Sequence, residues 1–225
     1  MSKRNYVVVA VAAAALLVAG GLFASNMGFK LNYVMDGVGD NGSESGTQSL
    51  ALPFNQQTSL VYASDLWDDI EAAVPDSVSS IARFVQSTDG LQGYTGISPL
   101  DDYMLVPGEG YRVQLSSSVN YIIVGSHDPG MMVSLDGPGT NSSASGTSDY
   151  AYPYHSTAAL ASELREELNL VAGSSAVVSI SKFLRTSDSL KGYTGISPLD
   201  DFPLVPGESY RIQVNTDVNF MPEHY

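Results

Sequence analysis

Hydrophobic and polar positions run through the same rhythm twice along this chain. FKLNYVM (29–35) and MMVSL (131–135) are apolar runs of strand length. Each is followed by a Gly-, Ser- and Asn-rich stretch, DGVGDNGSESG (36–46) or DGPGTNSSASG (136–146), which reads as a loop. QSLALPF (48–54) and SDYAYPY (148–154) predict second strands, each with a proline that marks an edge or a strand end. The period then becomes helical. Leu66, Trp67, Ile70 and Val74 share one face of ASDLWDDIEAAV, with Ser64 as the predicted N-cap and Asp65, Asp68 and Asp69 near the positive end. In the second half Leu160, Leu164, Leu168 and Val171 repeat the stripe, with Ser162 as the cap. Alternation returns in VSSIARF (78–84) and VVSISKF (177–183). In LVPGEGYRVQL (105–115) and LVPGESYRIQV (204–214) a Pro-Gly pair suits the centre of a type II turn. After that turn Tyr111, Val113 and Leu115 alternate inward against Arg112 and Gln114, as do Tyr210, Ile212 and Val214. VNYIIVG (119–125) and VNFMPEHY (218–225) close the two halves.

Laid on one another, the halves match along their length. SGTQSLALPFN (45–55) faces SGTSDYAYPYH (145–155), and residues 78–102 face 177–201, at an offset of 100 early and 99 late. A period near 100 is too long for a solenoid repeat and fits a duplicated domain. The pattern predicts a mainly β (α+β) protein: two antiparallel, sandwich-like β modules, at 26–127 and 128–225, each carrying one short helix. Turn residues around SHDPG (126–130) make the link short, so the modules should touch.

One stretch is unchanged between the copies. GYTGISPLDD stands at 93–102 and again at 192–201, while neighbouring segments have diverged. Three readings are open: a turn whose steric rules admit few substitutes, recent gene conversion, or a contact surface displayed twice. The last would use Tyr94 and Tyr193 as anchors beside Asp101, Asp102, Asp200 and Asp201. The succession of ALPFN, a DLxxDI helix, an IxRF strand, a YTG turn and a PGEGY strand resembles modules of exported bacterial proteins of unassigned function. The resemblance covers both halves past residue 26 and implies export and a repeated non-catalytic module. YAYPYH departs from the ALPFN form, so a site built there would differ between the halves.

The first residues fit that location. Lys3 and Arg4 precede an uncharged apolar run, Tyr6 to Ala24, with small residues at its exit. This is the layout of an export signal, and the run is also close to the roughly 20 residues that span a bilayer. Residues 1–25 are therefore a signal peptide or a membrane anchor, and 6–24 are the membrane contact if they are retained. The protein is expected to be extracellular, at the cell surface or periplasmic. Removal of Lys3 and Arg4 takes the formal charge from −14 to −16, which repels nucleic acid and anionic membranes. No cysteine is present, so stability must come from core burial.

Candidate chemistry is sparse. His127 and His224, beside Asp128 and Glu223, end the modules and could meet in a weak metal or proton site, against the reading that they are solvated. Asp36, Asp40 and Glu44 lie in a glycine-rich loop with oxygen donors suited to calcium, though module two keeps only Asp136. Tyr150, Tyr152 and Tyr154 fall at period two. They could stack on sugar rings, pack on another protein, or fill a β core. No zinc-protease motif, nucleophile elbow or phosphate loop occurs. Three functions follow: an exported structural or adhesive protein binding itself or other envelope proteins, a secreted glycan-binding protein using its tyrosines, or an enzyme with an unrecognised carboxylate site. The first is the expectation, with no catalytic residues and no cofactor.

Overall fold

A computed structural model describes residues 28–56, 59–126, 128 and 130–222. The signal or anchor segment and both terminal histidines, His127 and His224, lie outside the described residues. Module one contains β1 (Gly28–Met35), β2 (Thr47–Ala51), β3 (Asn55–Gln56), α1 (Ala63–Glu71), β4 (Val78–Val85), β5 (Gly90–Tyr94), β6 (Gly110–Leu115) and β7 (Val119–Ser126). Module two follows with β8 (Val133–Leu135), β9 (Thr147–Ala151), α2 (Ala161–Ala172), β10 (Val177–Leu184), β11 (Ser189–Tyr193), β12 (Ser209–Val214) and β13 (Val218–Phe220).

Each module has one four-stranded antiparallel sheet, in the order β2-β6-β4-β5 or β9-β12-β10-β11. The second sheet is three-stranded in module one, β1-β7-β3, and two-stranded in module two, β8-β13. Inward residues of the large sheet, such as Ile81, Tyr111 and Val113, pack on Leu66 and Ile70 of α1 and on Tyr121 and Ile123 of β7. Ile180, Tyr210, Ile212, Leu164, Leu168 and Phe220 do the same in module two.

Equivalent letters occupy equivalent settings. Tyr111 stacks on Tyr103 at 6.4 Å and accepts the Val106 N–H at 2.6 Å; Tyr210 stacks on Phe202 at 6.0 Å and accepts the Val205 N–H at 2.7 Å. Gly46 and Gly146 both take positive φ where a Cβ would stand 2.0 or 2.1 Å from a carbonyl of the neighbouring strand. The Pro-Gly turns form as predicted, with Gly108 at φ 88° and Gly207 at φ 90°.

The modules meet through the outward faces of their large sheets, and the contacts are reciprocal. Ala51 donates to the Gly207 carbonyl and Ala151 to that of Gly108, at 2.7 and 2.9 Å. Glu44 donates to Arg185 and Ala144 to Gln86, both at 2.9 Å. Arg112 lies over the Phe183 ring and Arg211 over Phe84, at 4.7 and 4.2 Å. Contacts in which i meets j′ and i′ meets j are the mark of a two-fold arrangement, here within one chain. Hence the polar outer faces are only partly solvated, and Asp149 holds Arg211 through bonds of 2.7 and 2.9 Å. Burial pulls the Arg112 guanidinium below its usual range, with Asp149 opposing and Arg211 adding to the effect.

Two sequence expectations need correction. Neither Ser64 nor Ser162 is the N-cap; Tyr62 and Leu160 hold that position, and the serines lie one residue inside the helices. The local cap is an acid three residues on: Asp65 accepts the Val61 and Tyr62 N–H groups, and Glu163 those of Ala159 and Leu160. Val171 and Leu160 are exposed rather than part of the buried stripe, because Ala161, Leu164 and Leu168 complete the face toward the sheet. As the prolines lead one to expect, β2 and β9 end just before them, at Ala51 and Ala151, and the segments beyond turn into the seam between modules.

Candidate functional site

The unchanged decapeptide leaves β5 or β11, crosses the N-terminus of the helix, and continues into a segment that bridges to the residue before it. Its inner end is structural. Asp102 accepts the Ser64 N–H at 3.0 Å and its hydroxyl at 2.7 Å; Asp201 treats Ser162 identically, at 3.0 and 2.6 Å. The next carbonyls, of Tyr103 and Phe202, accept the N–H groups of Ala63 and Ala161 at 2.9 and 3.0 Å. The first amides of each helix, which have no partner within it, are thus satisfied from across the chain. A negative carboxylate there also meets the positive end of the helix dipole.

The middle of the loop rests on a flat side chain. Gly96 has φ 75°, and a Cβ on it would come within 3.3 Å of the Trp67 ring; Gly195 has φ 80° and would meet Arg165 at 2.7 Å. Tyr94 is half-buried, edge-on to Trp67 at 5.8 Å between centroids. Burial, then the Asp102 and Asp68 carboxylates, push its hydroxyl above the usual range. Tyr193 packs against the module-two core in the same place. Ser98 and Ser197 accept the N–H groups of Leu100 and Leu199 at 3.2 Å and so fix the turn.

The side chains at the outer end stand clear of the other described residues. Ile97 and Leu100 are 88% and 91% exposed, and Ile196 and Leu199 are 88% and 87% exposed. Asp101 and Asp200 stand beside them, also exposed. Of the six predicted residues, then, the structure assigns Asp102 and Asp201 to helix capping and Tyr94 and Tyr193 to packing, and leaves Asp101 and Asp200 free at the tip. The aliphatic pair in each tip was missed. Its signal was in the sequence, as large apolar letters kept inside a polar turn.

The other candidates are placed differently. Tyr150 and Tyr152 are core residues, 1% and 4% exposed, so no sugar ring can stack on them. Tyr150 points inward from β9, and Glu109 of module one bridges over its backbone. Tyr152 turns inward after the strand, with its hydroxyl on the Ala158 carbonyl. Tyr154 alone reaches the surface, stacked on Phe29 at 4.7 Å. In the proposed calcium loop, Asp36 is buried and paired with Arg185 of the other module while accepting the Asn41 amide at 2.7 Å. Asp40 accepts the Ser118 hydroxyl, and Glu44 is exposed. Among the described residues no group of three or more acids or histidines is arranged to hold a metal. The seam leaves two clefts, of about 300 and 400 Å3, below the two Pro-Gly turns. Asp149 and Arg185 in their linings are paired, with Arg211 along the seam and with Asp36 across it, and Glu109 lines the smaller cleft.

The fold and these loops define a tandem, two-fold β-sandwich-like protein with one rigid apolar tip per module. Comparison with protein-family models, with curated proteins and with solved structures finds no match.

Proposed function

We propose that this is an exported, non-catalytic structural or adhesive protein of the cell envelope or surface, and that the loops 93–102 and 192–201 make its contacts. The observation that carries the reading is the exposure of Ile97, Leu100, Ile196 and Leu199. No contact inside the fold constrains these side chains, and even the supports beneath the loops differ, Trp67 in one module and Arg165 in the other. Their identity is therefore not explained by packing, whereas a partner met twice would explain it. Exposing four aliphatic side chains on rigid turns is otherwise costly for solubility. Export is supported by the basic pair and apolar run at the start of the chain. The non-catalytic character is supported by the lack of any zinc-protease motif, nucleophile elbow or phosphate loop in the sequence. The glycan reading loses its support with the burial of Tyr150 and Tyr152.

The test is a four-fold variant, Ile97→Ser, Leu100→Ser, Ile196→Ser and Leu199→Ser, followed by pelleting with a purified envelope fraction. Retained melting temperature with lost co-sedimentation is the expected result. Binding equal to that of the unaltered protein would remove the loops as the contact surface.

A further inference from the structure

We propose that the partner of these loops is a second copy of this chain, joined along the open edges of β5 and β11, so that copies string into open-ended chains. The inference rests on the reading of the loops as contacts and adds the partner and the mode of pairing.

Two independent observations converge on it. The first is sheet order. Among the described residues β5 pairs only with β4, and β11 only with β10, so each large sheet ends in a strand with one free edge. The opposite ends, β2 and β9, are covered by the other module through the Ala51–Gly207 and Ala151–Gly108 bonds. The turn before β5 reaches the seam, where Asp89 accepts the Ser145 hydroxyl at 2.7 Å, and beyond it both edges stay unpaired up to the loops. An uncovered edge is a template for another strand; neither edge carries a proline or a bulge, and of the two only β11 carries a lysine, Lys191, so β5 is the less protected edge. Gly93 and Gly192 are exposed on these strands, and a Cβ on Gly93 would meet nothing, which leaves a flat approach for a second backbone.

The second observation is the tip that follows each edge directly. Antiparallel pairing of two such strands carries the tip of one copy past the beginning of its partner's strand. Leu91 and Leu190 are exposed there. Aliphatic tips with aliphatic neighbours need no complementary donor or charge, so the surface is compatible with itself. Because each module has one open edge that runs into such a tip, each copy can join two others, and pairing at the two loops in turn gives a non-closing string rather than a closed dimer. Exposed Asp101 and Asp200 on every tip, and a formal charge of −14, oppose the joint, so screening by salt strengthens it.

Sedimentation velocity of the full chain, recovered after export, tests this across protein concentration at low and high salt. The mass of the unaltered protein should grow with concentration past the dimer, and further at high salt. Ile196→Ser with Leu199→Ser leaves one working loop and should stop at the dimer; the four-fold variant should stay monomeric. Gly93→Lys with Gly192→Lys, which leaves the tips intact and places a charge on each edge, should also be monomeric. A monomer at every concentration and salt overturns the proposal, as does association that persists in the four-fold or the edge variant. The contact reading would survive the first of these results if the four-fold variant still lost envelope binding.

Discussion

Replacing Asp102 by Ala should unfasten α1 without touching any other element. The carboxylate accepts the Ser64 N–H and hydroxyl at 3.0 and 2.7 Å from 38 residues away. Truncation leaves the amide of the first turn without its partner and removes a negative charge from the positive end of the helix. Loss of a capping acceptor costs about 0.5–2 kcal/mol, and the dipole adds about 0.3–1 kcal/mol. Asp102 is half-buried, and the freed serine hydroxyl can turn to water, so about 2 kcal/mol is the sum for Asp102→Ala. Asp102→Asn, which keeps an acceptor and loses the charge, should cost about half as much. Asp101→Ala, one residue away and exposed, should stay within about 0.5 kcal/mol of the unaltered protein. Trp67 is the only tryptophan and sits on α1, so its fluorescence during urea unfolding reports on module one. The midpoint should fall in the order Asp102→Ala, Asp102→Asn, Asp101→Ala, with unchanged slope. Equal midpoints for the two alanine variants would refute the assignment of Asp102 as a distant cap.

Gly96→Ala and Gly195→Ala should each cost about 1–2 kcal/mol, measured by thermal melting, because positive φ is combined with contact on Trp67 or Arg165. Arg185→Ala should cost about 1–3 kcal/mol in urea, since it strands the buried Asp36 carboxylate and the partner arginine is itself partly solvated. Burial, with Asp149 adding and Arg83 opposing, raises the Glu109 carboxyl above its ordinary value. The unfolded chain releases this proton first, so stability falls as pH rises from the ordinary value through the raised one. Glu109→Gln should therefore be more stable than the unaltered protein at neutral pH and converge with it at acid pH, as read from melting temperature against pH.

Much of the fold was legible because period and punctuation agree. Alternation around Tyr111 and Tyr210, the Pro-Gly turns and the 3.6-residue stripes each fix a local element, and the duplication doubles each signal. What eluded the sequence was long-range. Nothing in Ser64 or Ser162 announces that the capping carboxylate comes from the repeated decapeptide, because the partner lies 38 or 39 residues on. The same limit applies to Asp36, which reads as a calcium donor in a glycine-rich loop until Arg185, 149 residues away, is brought to it. Tyr150, Tyr152 and Tyr154 share a period but not a fate, since β9 ends at Ala151 and the chain turns before Tyr154. The outward Arg112 and Gln114 of β6 and their counterparts on β12 read only as polar, yet their faces form the seam. A protein–protein face and a wet face carry similar letters.

Amide hydrogen exchange at residues 44, 51, 144 and 151 tests most directly whether two copies of one module close on each other about a two-fold. Each of these N–H groups bonds to a carbonyl of the opposite module. Protection at all four, rising and falling together under mild denaturant, is the predicted result. Free exchange at these sites beside fully protected amides of β6 and β12 would mean that the modules fold alike but do not join.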